Sequence, residues 1–230
     1  MKKLIFNIVM AGCLLSSCTD KSAEKRLFEH VVVIGVDGLT VEGLKRAATP
    51  VMDNLIANGA VTYDVRAVLP TSSAPNWSAM IHGAGPEATG ITENEWRVDS
   101  VQWLPPIVKN SARRFPGIFN VVREQLPDAE QGAIFHWNGF GNLVQQDVVN
   151  RFNTYRTEDE TTKQVCDYIV SKKPTFLFIQ LDHVDHAGGH FVFNSDIYMS
   201  AVQKADTLVG LIMASIRPAG MISPTKVSAF

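Results

Sequence analysis

From His30 to Val36 the chain reads HVVVIGV, a continuous β-branched run that ends in Asp37-Gly38. Such runs predict a strand covered on both faces. Val41 to Asn58 has helical spacing, with Leu44, Met52, Leu55 and Ile56 apolar. Pro50 is expected to break or kink that helix, and Gly59 to stop it. Val61 to Leu69 predicts a second strand. A loop over Pro70 to Pro75 leads into the first turns of a helix at Asn76 to Ile81. The stretch from Asn94 to Pro116 has no clear period. Ile118 to Gln125 predicts a helix and Ala133 to His136 a short strand. Thr157 to Ser171 predicts a helix capped by Thr157, with Glu160 as capping-box partner. Thr175 to Leu181 (TFLFIQL) is a second strongly apolar strand, followed by Asp182 and Asp185. Asp196 to Ile216 predicts a helix with Tyr198, Val202, Ala205, Val209 and Ile212 on one face.

Strands alternating with helices predict an α/β sandwich around a mostly parallel sheet. In open parallel sheets, ligands lie beyond the carboxyl ends of the strands. Asp37 and Asp182 both follow strong strands, so this topology delivers carboxylates to one edge, as a divalent cation requires.

The first residues follow a different pattern. Lys2 and Lys3 precede an apolar run from Leu4 to Leu15, too short to span a bilayer comfortably and matched to a signal sequence. Leu15-Ser16-Ser17-Cys18 then resembles a bacterial lipobox. The expected organisation is a lipoprotein signal peptide over 1–17, a tether over 18–29 beginning at a lipidated Cys18, and an α/β domain over 30–216. The chain would be exported and lipid-anchored in the bacterial envelope, periplasmic or outer membrane. Of the three cysteines, Cys13 lies in the leader and Cys18 is the anchor, so Cys166 has no intramolecular partner; its apolar neighbours Val165, Ile169 and Val170 predict a buried thiol. Hydrophobic residues make up 46% and charged residues 19% of the chain, and its net charge is −2, which reads as ordinary globular protein. No basic run points to a nucleic-acid polymer.

Three segments concentrate chemistry. In the first, Gly35-Val36-Asp37-Gly38 places a carboxylate after a strand, where it serves as a metal ligand, a helix cap or a turn residue. The second, LPTSSAPNWSAMIHGAGPEATGITEN from Leu69 to Asn94, sets hydroxyl residues ahead of a helix, whose N-terminal amides favour an anion. The same residues also make an ordinary Ser/Thr turn and N-cap. The third, Asp182 to His190 (DHVDHAGGH), has five potential metal ligands in nine residues and three of the six histidines. Asp/His clusters of this kind build Zn²⁺ or Mn²⁺ sites; otherwise they form a solvated polar loop.

Together these segments resemble the type I phosphodiesterase/nucleotide pyrophosphatase family of the alkaline phosphatase superfamily. Val32 to Gly38 matches its first motif. Pro70-Thr71-Ser72-Ser73-Ala74-Pro75-Asn76 matches its second, which runs on through Gly83, Pro86-Glu87 and Gly90-Ile91 to Asn94. The resemblance implies an alkaline phosphatase-like three-layer sandwich with a mostly parallel central sheet. It implies a metal-dependent hydrolase of phosphodiester or nucleotide pyrophosphate bonds that acts through a phosphoseryl intermediate on a phosphorylated small-molecule substrate. Ser73 falls on the nucleophile and Asn94 on the oxyanion-supporting residue. Two divalent metal ions, taken as Zn²⁺, are implied, with Asp37, Ser73, Asp185 and His190 as ligands and Asp182 and His186 as alternates. Trp77 and Trp96 are read as lid or base-stacking groups, or as packing. A sulfatase reading fits Ser73-Ala74-Pro75 but requires Arg where Trp77 stands.

The chain departs from the family pattern at several points. Thr89 replaces a His. In the third motif Gly189 follows Gly188, so His190 comes one position late. The family's Ser-Asp-His-Gly segment and its later His are absent, and residues 217–230 read as an aberrant tail. The expectation is therefore a domain with its last part missing and its second metal site incomplete. The rival reading is a catalytically inactive truncated lipoprotein that at most binds a phosphorylated ligand.

Overall fold

The computed structural model describes residues 28–101 and 103–221. The leader, Cys18, most of the tether and the tail beyond residue 221 lie outside the described residues.

Four parallel strands form one sheet: β1 (Val31–Val36), β2 (Gln131–Phe135), β3 (Arg151–Thr154) and β4 (Phe176–Leu181), in the spatial order β1-β4-β2-β3. The nine helices among the described residues are α1 (Val41–Arg46), α2 (Pro50–Asn58), α3 (Ser73–His82), α4 (Pro86–Thr89), α5 (Ile118–Gln125), α6 (Asn138–Gly141), α7 (Glu158–Lys172), α8 (His183–Phe191) and α9 (Asp196–Ile216).

Strand periodicity assigns each apolar residue to a layer. Ala133, Phe135, Phe176 and Phe178 point to one face, where they pack with Ala74, Trp77 and Ile81 of α3, Phe119 of α5 and Phe140 of α6. Ile134, Leu177, Ile179 and Leu181 point to the other face and meet Val165 and Ile169 of α7 and Leu208 and Ile212 of α9. A third cluster joins Val184 and Ala187 of α8 to Tyr198, Ala201 and Val202 of α9. The result is the expected helix–sheet–helix sandwich. Each fully buried Leu, Ile or Phe side chain contributes roughly 1.5–3 kcal/mol to it.

Several expectations needed correction. The run through β1 is less covered than its composition implies, because β1 is the edge strand of the described sheet and only Gly35 is buried. The fully buried strands are the inner ones, β2 and β4. Val61 to Leu69 forms no strand. Its alternation is real, but Val65 and Leu69 are exposed, and the Val68 N–H goes to the Asn76 side chain instead of a ladder. The break at Pro50 is as expected: Val41 to Asn58 is two helices, and Pro50 begins the second at its first position, where a missing N–H costs nothing. Cys166 is only half-buried. The Thr157 cap on α7 forms as expected, its hydroxyl accepting from the Glu160 N–H.

Candidate active site

Three neighbouring strands end at one edge: β1 in Asp37, β4 in Asp182 and β2 in His136. The Asp37 N–H donates to the Leu181 carbonyl at 2.8 Å, which continues the β1–β4 ladder into the site. Gly38 then turns the chain with φ +69°, and a Cβ at this position would lie 2.4 Å from the Asp185 Cα. The glycine therefore lets the backbone of α8 rest directly against the end of β1. Tyr198, fully buried on α9, pins this turn: its hydroxyl donates to the Gly38 carbonyl at 2.8 Å and accepts from the Thr40 N–H at 2.9 Å.

Asp182 to His190 does not form a loop. Asp182 stands at the N-cap position of α8 without a side-chain cap bond, and His183–Phe191 are helical. The buried Glu158, first residue of α7, satisfies the start of α8 through Oε1, which accepts from the Asp182 N–H at 2.5 Å and the His183 N–H at 2.6 Å. Gln180, also buried, donates from Nε2 to Asp182 Oδ1 at 3.1 Å, while its Oε1 accepts from the Trp137 N–H at 3.0 Å. His136 Nδ1 lies 3.9 Å from Glu158 Oε1.

The helix decides which donors meet. His186 and His190 are one turn apart, with ring centroids separated by 4.2 Å. Asp182 and His186 share the same spacing. Asp185 and His190 are five positions apart, about 140° around the axis, so the ligand pair read from the motif does not share a helix face. Both alternates, Asp182 and His186, sit one turn apart instead.

Charge crowds at this edge. Burial pushes the Asp182 carboxyl up to about 6, and the neighbouring Asp37 and Asp185 charges add to the rise, against the Gln180 hydrogen bond and the His136 charge. Burial and the Asp37 charge also raise Asp185. This mutual repulsion is what a divalent cation relieves, so the donor chemistry fits one. Among the described residues, however, no three His, Cys, Asp or Glu side chains converge into a closed metal cage.

Ser73, half-buried, is the first residue of the ten-residue α3, with Ser72 at its N-cap. Asn76 secures the approach loop: its amide donates to the Ser72 carbonyl at 2.8 Å, and its Oδ1 accepts from the Val68 N–H at 2.9 Å. Asn94 Oδ1 accepts from the Ala74 N–H at 2.8 Å, which places the Asn94 amide one residue from Ser73. That bond revises the expected anion cradle. Ala74's amide is taken and Pro75 has none, so of the first three helical residues only Ser73 retains its own N–H for a ligand. Asn94, held there through Oδ1, also carries an Nδ2 donor group. Thr89, in place of the family's His, is buried and accepts from the Ile91 N–H at 3.3 Å.

Trp77 and Trp96 are both buried, so neither is a lid. Trp77 links two motifs, its Nε1–H donating to Asp37 Oδ2 at 2.8 Å. Sequence reasoning missed this bond, and also missed Glu158, Gln180 and Tyr198 as parts of the site.

A parallel-sheet sandwich with a hydroxyl at a helix start and carboxylates at the sheet's carboxyl edge is the arrangement of an alkaline phosphatase-like fold. Comparison with known proteins agrees. Residues 31–114 match the family model described as type I phosphodiesterase / nucleotide pyrophosphatase. The chain is thus similar to that family over these residues. Human ectonucleotide pyrophosphatase/phosphodiesterase family member 1 is 23% identical over 197 residues, covering 81% of this chain and 21% of that protein. Human bis(5'-adenosyl)-triphosphatase ENPP4 is 22% identical over 230 residues, covering 95% of this chain and 50% of that protein. The chain therefore spans half or less of the length of these curated relatives. Among solved structures, inactive murine ectonucleotide pyrophosphatase/phosphodiesterase 5 in complex with AMP superposes with TM-score 0.67 at 19% identity, over 84% of this chain and 54% of that one. Phosphonoacetate hydrolase from Sinorhizobium meliloti gives 0.56 at 12% identity, over 81% and 53%.

Proposed function

We propose that this protein hydrolyses phosphodiester or nucleotide pyrophosphate bonds through a phosphoseryl intermediate on Ser73. The observation that carries the reading is the joining of motifs: Asn94 is bonded to the helix start beside Ser73, and the same helix is tied by Trp77 to the Asp37 edge. In the reaction, Ser73 Oγ attacks phosphorus, the P–O bond to the leaving group breaks, and that oxygen departs with the electron pair. Water then cleaves the phosphoseryl ester and returns the Ser73 hydroxyl. Asn94 Nδ2 donates to a non-bridging oxygen as charge develops on it. Asp37 with Asp185, or with Asp182 as the alternate, supplies the carboxylates that would hold a divalent cation, with Zn²⁺ as the first ion to test. Such an ion, when bound, lowers the pKa of the attacking hydroxyl and offsets phosphate charge. The structure with AMP supports a nucleotide-like ligand class by analogy.

The test is hydrolysis of bis(p-nitrophenyl) phosphate and of a dinucleoside polyphosphate by the chain supplied with Zn²⁺ or Mn²⁺. Ser73→Ala should abolish turnover, and a quenched reaction with bis(p-nitrophenyl) phosphate should show an adduct of about 201 Da, the retained p-nitrophenyl phosphoryl group, on Ser73 only. Absence of turnover on every ester with metal supplied would leave the inactive ligand-binding reading. Export and lipidation at Cys18 belong to the same proposal. Labelled palmitate should enter the wild type and not Cys18→Ala, and labelling that survives the substitution would refute it.

A further inference from the structure

We propose that Trp77 is a positioning residue that fixes the Asp37 carboxylate for cation binding, an inference that rests on the phosphoesterase reading above. The indole is buried in the core, where a polar N–H must find a partner. Its partner is not a backbone carbonyl but Asp37 Oδ2, at 2.8 Å. The ring has little freedom to move. Phe140 and Phe178 meet it edge-on, with centroids at 5.6 and 6.0 Å.

The strand beneath is shaped to fit. A Cβ on Gly35 would lie 2.3 Å from the indole Cη2, so only the bare backbone of β1 lets the ring reach across toward Asp37. Asp37 lies two residues past Gly35, where its N–H still continues the β1–β4 ladder, and so falls on the same face. The glycine admits the ring, and the aspartate two residues on receives its N–H.

An indole N–H donates and never accepts, and it does not titrate in the working range. It therefore commits one carboxylate oxygen at every pH and selects the Asp37 rotamer without neutralising its charge. A lysine or arginine in that place would fix the rotamer too, but would cancel the charge that a cation needs. Outer-shell donors of this kind typically change metal affinity by roughly 10–100-fold when removed.

The experiment compares wild type, Trp77→Phe, Asp37→Asn and the double variant in the full chain. Zn²⁺ and Mn²⁺ affinity is read by competition with a chromophoric chelator, and kcat and KM on bis(p-nitrophenyl) phosphate are measured alongside. Trp77→Phe should weaken metal binding roughly 10–100-fold. It should lower kcat with KM changed less than about twofold, and should add nothing in the Asp37→Asn background. Should the phenylalanine variant fold poorly, β-(3-benzothienyl)alanine at position 77 keeps the indole shape without the N–H and makes the same comparison. Equal metal affinity in wild type and either folded variant overturns the inference while leaving the phosphoesterase reading intact. A wild-type chain that takes up neither ion overturns that reading and the inference with it.

Discussion

His82 closes the helix that Ser73 opens, and its burial makes a quantitative claim about acid stability. Its Nδ1–H donates to the Ser78 carbonyl at 2.9 Å, and its ring meets Phe115 edge-on at 6.2 Å. Burial lowers its pKa from 6.5 to about 4, against the opposing Ser78 hydrogen bond and with a smaller lowering from the Arg114 charge. Above pH 6.5 the imidazole is neutral in both states and contributes no pH dependence. Between pH 6.5 and 4 the unfolded chain takes up a proton that the folded chain refuses, so stability falls as the pH drops. Below about 4 both states are protonated and the loss levels off. The full loss is about 3 kcal/mol, of which about 2 kcal/mol appears between pH 7 and pH 5. Urea unfolding at those two pH values checks this against His82→Gln, which cannot titrate. Wild type should lose about 2 kcal/mol more than the variant over the interval. Equal losses in the two proteins would refute the assignment of a buried neutral imidazole.

The carboxylate edge should show the opposite sign: Asp182, raised to about 6, destabilises the fold above that pH and recovers as the pH falls through it. Asp182→Asn should therefore raise the thermal midpoint at pH 8, by roughly 2 kcal/mol of stability, while weakening metal binding. Gly38→Ala must move either the turn or the Asp185 backbone, since its Cβ would meet the Asp185 Cα at 2.4 Å; phosphodiesterase turnover should fall at least about 100-fold. Asp206 is buried and accepts from the Val51 and Met52 N–H groups at 3.2 and 2.8 Å, capping α2 from another helix. Asp206→Ala should cost roughly 2–3 kcal/mol in urea unfolding at neutral pH, with kcat unaffected.

What was legible in the sequence was whatever a local period or a contiguous motif records. The α9 boundaries and the Thr157 cap follow from spacing alone, and so do the apolar strands β1 and β4. The segment Asp182 to His190 shows the limit. Its two glycines and three histidines argue against a helix on propensity, yet it is helical, because Glu158, from 24 residues upstream, supplies the acceptor that its first amides need. No local pattern marks Glu158, which looks like an ordinary acidic residue in the first turn of α7. Val61 to Leu69 fails in the opposite sense: its alternation is sound, but a strand also requires a neighbour, and a neighbour is a tertiary fact. Trp77 lay within a motif that was read correctly, but its partner sits 40 residues away.

The contacts that anchor this edge share one electrical property. The indole on Asp37 and the Gln180 amide on Asp182 are both neutral donors, and Glu158 meets α8 through uncharged backbone amides. The lysine and arginine ion pairs among the described residues lie elsewhere, on Glu42, Asp99, Asp159 and Asp167. A fold selected only for stability would set cations against three crowded carboxylates, or would replace the carboxylates outright. Here neutral donors hold Asp37 and Asp182 in place, and burial together with the Asp37 charge raises Asp182 and Asp185. On the proposed reading, neutral anchoring would orient a ligand set without competing for a cation. It also makes a prediction about order: loading the edge with a divalent cation should raise the thermal midpoint of the wild type and leave that of the Asp37→Asn, Asp182→Asn double variant unmoved.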